Sequence, residues 1–252
     1  MQEKKLLDTV MLAGELMLSG GAEVYRVEDT MNHMLKRSGY QDAEVIAFVT
    51  GIFVTLSDPQ KETLTLTRRI RQRGTNINRI YRVNDISRRF CCDSMSVDDA
   101  YAELKEIQAE VLYSPLMKVI GTLSVPPCFS PMFGGNALDF FACALVGACL
   151  AIADRLCRRI RLNDFCSSAC GSFVVAFSAL LINRYLLKAA NSDVMIISSI
   201  MPLVPGVTFT TAIRDVLNGD YSAGTARILE ASVIALAVAA GVGGGMMLFR
   251  TL

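Results

Sequence analysis

Two kinds of segment hold the residues best placed for chemistry. The first is GAEVYRVEDTM at 21–31. Helical spacing puts Glu23, Arg26 and Thr30 on one face, with Glu28 and Asp29 alongside. Paired carboxylates can exchange protons with a substrate, but surface ion pairing accounts for the same pattern. A nucleophile–His–acid set is excluded, because His33 is the single histidine and no GxSxG occurs. The second kind is a pair of proline-interrupted apolar segments. Pro126-Pro127 and Pro131 break one; Pro202 and Pro205-Gly206 break the other, among Ser198, Ser199, Thr208, Thr210 and Thr211. Inside a bilayer, prolines persist where neighbours or water satisfy the freed backbone groups. Paired broken helices point to a transporter's solute site, and their exposed N–H ends favour an anion such as a carboxylate. Plain packing kinks are the alternative.

Further polar residues sit beside these segments. Asn136 and Asp139 open one apolar stretch, Asn183 and Arg184 close another, and Glu230 lies about two turns into the last. A charge at membrane depth usually faces a partner or a watery path. Glu230 is three residues from Arg227, so a local ion pair competes with a coupling role. A headgroup location explains Asp139 equally well.

The elements that carry these residues divide near residue 115. Residues 1–118 hold 16 Lys/Arg and 17 Asp/Glu, against 9 and 7 in residues 119–252. That break predicts an α-helical polytopic membrane protein with a small N-terminal α+β cytoplasmic domain at 1–114. A spanning helix needs about 20 apolar residues. Five transmembrane helices are expected, at about 116–134, 137–155, 165–187, 194–213 and 225–249, the first and fourth proline-broken. The loop DRLCRRIRLND carries Arg155, Arg158, Arg159 and Arg161, and the positive-inside rule makes it cytoplasmic. Five spans then leave the N-terminus inside and Leu252 outside, with Arg250 a mild counter-signal. Gly241 and Gly245 form a GxxxG close-packing face.

In the N-terminal part, the 3–4 spacing of apolar residues over 4–37 predicts one long helix or two joined at Ser19-Gly20-Gly21. Alternating runs at 44–50, 52–58 and 63–69 predict three strands, with a turn at Asp58–Lys61. Helical spacing returns over 76–90, and Ser96 with Asp99 resembles a capping box for a last helix. Arginines 68, 69, 71, 73, 79, 82, 88 and 89 form a basic run suited to lipid headgroups or a regulatory anion, or simply a solvated face. Sparse aromatics and a net charge of +1 argue against nucleic acid. Eight cysteines without a CxxC pair behave as small hydrophobes, so neither metal nor cofactor is expected. The acid-bearing start does not read as a signal peptide.

GAEVYRVEDTM resembles a signature of the bacterial threonine/serine exporter family. So do the strands ending in Thr67-Arg68-Arg69 with Asn78, Val83 and Asn84 after them, PMFGGNALDF at 131–140, and PLVPGVTFTTAIRDVLNGDYSAGTAR at 202–227. The resemblance covers nearly the whole chain. It implies export across the plasma (inner) membrane and no enzyme activity. It carries over Pro202, Pro205, Gly206, Asp215, Gly219, Gly224 and Arg227 from the last block, Gly134, Gly135 and Asp139 from the third, and Glu23 and Arg26 from the first. Ending after about five spans, the chain is similar to two-component members, in which a large subunit of this type works with a separate small membrane subunit. One such pair is associated with succinate.

The combined expectation is a secondary-transporter subunit exporting a small carboxylate, either a dicarboxylate such as succinate or threonine/serine. Its solute site would draw on Asn136, Asp139, Pro202, Pro205, Gly206, Thr208, Asp215, Arg227 and Glu230. Asp215 or Glu230 would couple protons, and Arg227 or Arg184 would meet the solute charge. Glu23, Arg26 and Glu28 form the motif of the cytoplasmic domain. Expected partners are the lipid bilayer, the small solute and the second subunit, with homo-oligomers also compatible. The alternative is a membrane-anchored enzyme or sensor whose N-terminal domain is the active part.

Overall fold

A computed structural model describes residues 2–71, 74–110 and 113–251. The chain forms two compact units, Met1–Glu110 with Val207–Leu229, and Val111–Gly206 with Glu230–Leu252. Residues 207–229, read from sequence as part of the apolar half, belong to the first unit.

The first unit begins with α1 (Gln2–Ser19) and α2 (Val24–Leu35), the expected helices in series. Their joint depends on Gly21, whose φ of +89° lies in the region that only glycine enters cheaply. The antiparallel sheet β1 (Asp42–Phe48), β2 (Gly51–Ser57) and β3 (Leu64–Arg69) follows, in the order β1-β2-β3. Val45 pairs with Val54, and Val54 with Leu66. The alternation expected from sequence sends Val45, Ala47, Ile52, Val54 and Leu56 to the buried face. At the β2–β3 turn, Asp58 accepts hydrogen bonds from the Lys61 N–H and, through its side chain, from the Gln60 N–H.

Helices α3 (Ile77–Cys91) and α4 (Val97–Ala109) complete the expected order. Asn76 caps α3 by accepting from the Arg79 N–H, and Ser96 caps α4 by accepting from the Asp99 N–H. Met11, Met31, Ile52, Ile86, Phe90 and Leu104 lie in one continuous core. Gly14 lets α1 approach it closely: a Cβ there would fall 2.2 Å from Met31 Sδ. Helix α9 (Gly206–Leu217) and the start of α10 (Tyr221–Arg250) join this unit from residue 207 onward. Gly219, at φ +92°, makes the turn between them.

The second unit is helical. It contains α5 (Pro115–Phe129), α6 (Ala137–Arg159), α7 (Asp164–Tyr185), α8 (Ser192–Ile200) and the later part of α10. Among the described residues, α6, α7 and α10 are long and apolar enough to cross a bilayer, and the bent pair Ser192–Leu203 with Gly206–Leu217 brings the number to four if it forms one span. The expected first span is α5, only 15 residues long, and it runs through Pro126 and Pro127. The break falls later, in a 3-10 turn at Ser130–Phe133 that ends at Gly134 with φ +79°. Each proline withholds an N–H from the carbonyl four residues earlier, so Pro127 frees the Leu123 carbonyl. Gly147 of α6 packs there, where a Cβ would lie 3.1 Å from Pro126 Cγ and 3.3 Å from the Leu123 oxygen. The Pro202 and Pro205 break occurs as expected: α8 passes into a 3-10 turn at Met201–Leu203, and helix resumes at Gly206.

Helix α10 has 30 residues, about 45 Å at 1.5 Å per residue. That exceeds a hydrocarbon layer of about 30 Å, in keeping with its first nine residues belonging to the other unit. The GxxxG face packs on α7: a Cβ at Gly241 would sit 2.1 Å from Ser172 Oγ and 2.3 Å from the Ala169 carbonyl, and one at Gly245 would sit 2.8 Å from the Phe173 carbonyl.

Candidate functional site

The densest polar arrangement in the first unit surrounds the α1–α2 joint. Glu23, the N-cap of α2, is 6% exposed. One of its oxygens lies 3.0 Å from Arg214 of α9, and the other 3.3 Å from Arg26. Burial alone would raise its pKa. Its own backbone N–H and the Arg214 and Arg26 guanidiniums outweigh that and hold the carboxyl below the usual range. One residue on, the Val24 N–H donates to Asp215 Oδ1 at 3.1 Å. Asp215 is fully buried, and its second oxygen faces Arg227 Nε at 3.3 Å. Arg227, also buried, donates a further hydrogen bond to the Ala22 carbonyl at 2.7 Å. Two acids and three arginines thus fasten α9 and the start of α10 to the 22–26 backbone. An isolated buried carboxylate would be too costly; this one persists because a cation and an amide meet it.

Glu28 lies on another face of α2 and accepts from the Ala47 N–H of β1 at 2.7 Å. Burial raises its pKa; the Ala47 hydrogen bond opposes the rise and the Asp220 charge adds to it. Glu28 therefore braces a helix against a sheet and is not paired with Glu23. Three arginines of the basic run meet acids: Arg68 meets Glu15, Arg82 meets Glu110, and Arg89 meets both Asp85 and Glu103. Arg73 lies outside the described residues.

In the second unit, Asn136 and Asp139 form a capping box at the start of α6, each side chain accepting from the other's backbone N–H. Asp139 is buried, and its other oxygen accepts from the Asn191 N–H at 2.6 Å. Asn191 in turn caps α8. Asp139 thus aligns the starts of α6 and α8. Around α8, the hydroxyls of Ser130, Ser198 and Ser199 are fully buried and lack a hydrogen-bond partner among the described residues. The Cys143 thiol faces Ser130 and Ser198 but is only a weak hydrogen-bonding group. Gly135 makes room for this cluster, since a Cβ there would fall 2.3 Å from Ser130 Oγ. Each unsatisfied hydroxyl costs about 1–3 kcal/mol. Ser130 and Ser198, both beside Cys143, form a small polar patch inside an apolar helix bundle, with Ser199 the next residue along α8 toward the turn holding Pro202.

The family model described as "Putative threonine/serine exporter" matches residues 8–249. The chain belongs to the threonine/serine exporter family. It is 22% identical over 241 residues to "Probable threonine/serine exporter" of Mycobacterium tuberculosis, covering 95% of this chain and 45% of that protein. It thus spans less than half the length of that relative. It is 24% identical to "Probable succinate transporter subunit YjjP" of Klebsiella aerogenes, over 90% of this chain and 87% of the relative. The protein of the same name from Escherichia coli K12 is 23% identical, over 96% and 93%. No solved structure matches. Family membership and several long apolar helices make this a membrane protein.

The residues expected to form one solute site are therefore distributed. Asp215 and Arg227 join Glu23 and Arg26 in the first unit, where Thr208 also lies in α9. Asn136, Asp139, Pro202, Pro205, Gly206 and Glu230 belong to the second. Arg184 ends α7 exposed, over the rings of Tyr185 and Phe249. Sequence reasoning missed Arg214, Asn191, Ser130 and Cys143. Asn191 was findable from Asn-Ser-Asp at a helix start. Arg214 adjoins Asp215, and nothing in the sequence announces its reach to Glu23.

Proposed function

We propose that this chain is a subunit of a secondary transporter that exports a small carboxylate, either a dicarboxylate such as succinate or threonine/serine, across the bacterial inner membrane. The observation that carries the reading is the group of unpartnered buried hydroxyls at Ser130, Ser198 and Ser199, in a chain whose family is that of exporters. Buried polar groups without partners are rare in folded proteins. A solute carboxylate or hydroxyl is the kind of partner they lack, and the interrupted helix around Pro202 and Pro205 supplies further freed backbone groups. Residues 1–110 would face the cytoplasm, and a second, smaller membrane subunit would complete the pathway. The names of the YjjP relatives, each a transporter subunit, support such a partner.

The network of Glu23, Arg214, Asp215 and Arg227 has a positioning role in this reading, since its charges are spent on one another. The test is efflux from bacterial cells preloaded with labelled succinate or threonine. Expression of the chain with its companion subunit should accelerate loss of one label, and Pro205→Leu should abolish the gain. Unchanged efflux of both labels, with both subunits present in the membrane, refutes the proposal.

A further inference from the structure

The first unit contains a cavity of about 530 Å³, within the range that holds small molecules. Three stretches widely separated in sequence line it: the α1–α2 joint, one face of α3, and the first turns of α9. Its polar wall holds Glu23, Arg26, Arg88 and Arg214, with Asn84 and Asp85 beside them; Ile77, Ile80 and Val207 supply an apolar wall.

The charges there are unequally committed. Arg26 and Arg214 share Glu23. Asp85 is held by Arg89 at 2.9 Å. Arg88 is exposed, and its guanidinium has no ion pair or hydrogen bond among the described residues. Three cations against two acids leave a surplus of about one positive charge. A guanidinium binds a carboxylate or a phosphate with paired N–H donors. The two acids in the wall oppose a polyanion such as a phosphate ester, and the isoleucines suit an aliphatic body.

We infer that this cavity is a binding site for a small aliphatic carboxylate, anchored by Arg88 and bordered by Arg26 and Arg214. It is separate from the buried serines and rests on the exporter reading for its solute class. A ligand carboxylate here competes with Glu23 for Arg214, so occupancy bears directly on the ion pair that holds α9. For an amino acid, Glu23 and Asp85 would also offer partners to the ammonium group.

The experiment is thermal unfolding and calorimetric titration of the purified full chain in lipid nanodiscs. The probes are succinate, L-threonine, L-serine and the uncharged diamide of succinic acid. One charged probe should raise the unfolding temperature in a saturable way, and the diamide should not. Whichever probe acts identifies the ligand as a dicarboxylate or an amino acid. Arg88→Gln, at an exposed residue with no pair to lose, should keep the wild-type unfolding temperature and circular dichroism while weakening binding at least about tenfold. Absence of any carboxylate effect, or equal affinity in Arg88→Gln, overturns the site. Efflux from proteoliposomes holding the same protein with its companion subunit separates the two proposals. Efflux without binding to wild-type protein that depends on Arg88 removes this site and leaves the exporter. Such binding without efflux keeps the site and removes the exporter.

Discussion

The two units bury acids in opposite ways. In the first, Asp215 is met by a guanidinium, and the nearby Glu23 by two more. In the second, Asp139 meets no cation among the described residues and is held by the N–H groups of Asn136 and Asn191. The first solution joins distant segments through long flexible side chains. The second aligns helix starts through rigid backbone and spends no arginine inside an apolar bundle. The polar capacity left over in that bundle is in hydroxyls, at Ser130, Ser198 and Ser199. Hydroxyls suit a passing solute better than fixed charges, which would hold an anion too tightly to release.

The largest effect expected from breaking this contrast is at Asp215. Asp215→Asn removes the carboxylate charge that faces the buried Arg227, and removing one partner of a buried ion pair costs about 3–5 kcal/mol. Chemical denaturation of the purified chain measures the loss; a loss under 1 kcal/mol would show the pair to be dispensable. Next is Asp139→Ala, which takes the acceptor from two part-buried N–H groups, at a cost of about 1–3 kcal/mol. The same measurement applies, and faster hydrogen exchange at Asn191 would locate the damage. Third is Gly241→Ala, whose methyl meets the Ala169 carbonyl and Ser172 hydroxyl. Overpacking of this kind costs about 1–3 kcal/mol, read as a lower unfolding temperature.

The smallest effect concerns pH, where the two head carboxylates should differ in sign. Glu23 has a lowered pKa. Its stabilisation is present above the unfolded-state carboxylate pKa and is lost as pH falls through the lower folded value. Glu28 has a raised pKa, so the folded state holds its proton longer and stability declines as pH rises from the unfolded value to the folded one. Unfolding temperatures of Glu23→Gln and Glu28→Gln across the acid range should therefore diverge from wild type in opposite directions. Parallel curves would contradict the assignment.

Much of this arrangement was legible in the sequence because local chemistry decides it. Apolar alternation placed the three strands, Ser19-Gly20-Gly21 the helix joint, and Gly241 with Gly245 a close-packing face, whose partner α7 only the structure supplies. Pro205 broke its helix as expected. Pro126 and Pro127 did not, because they fall in the last turn of a short helix and Gly147 accommodates the freed carbonyl. Residues 207–229 read as apolar in sequence, and their apolar side chains at Val207, Phe209, Ile213, Leu217 and Leu229 are indeed exposed. What sequence spacing does not announce is the distant pairing of Asp215 with the Val24 amide and of Arg214 with Glu23, which groups them with the first unit. Ser198 and Ser199 stood out beside the proline break, but Ser130 gave no signal of its own, and a missing partner is a property of three dimensions.

The decisive measurement is efflux from proteoliposomes holding this chain and its companion subunit, with Ser130, Ser198 and Ser199 all replaced by alanine. Removing unpartnered hydroxyls should leave the unfolding temperature unchanged or higher, while carboxylate efflux falls at least about tenfold. Efflux equal to wild type from a folded triple variant would contradict the account.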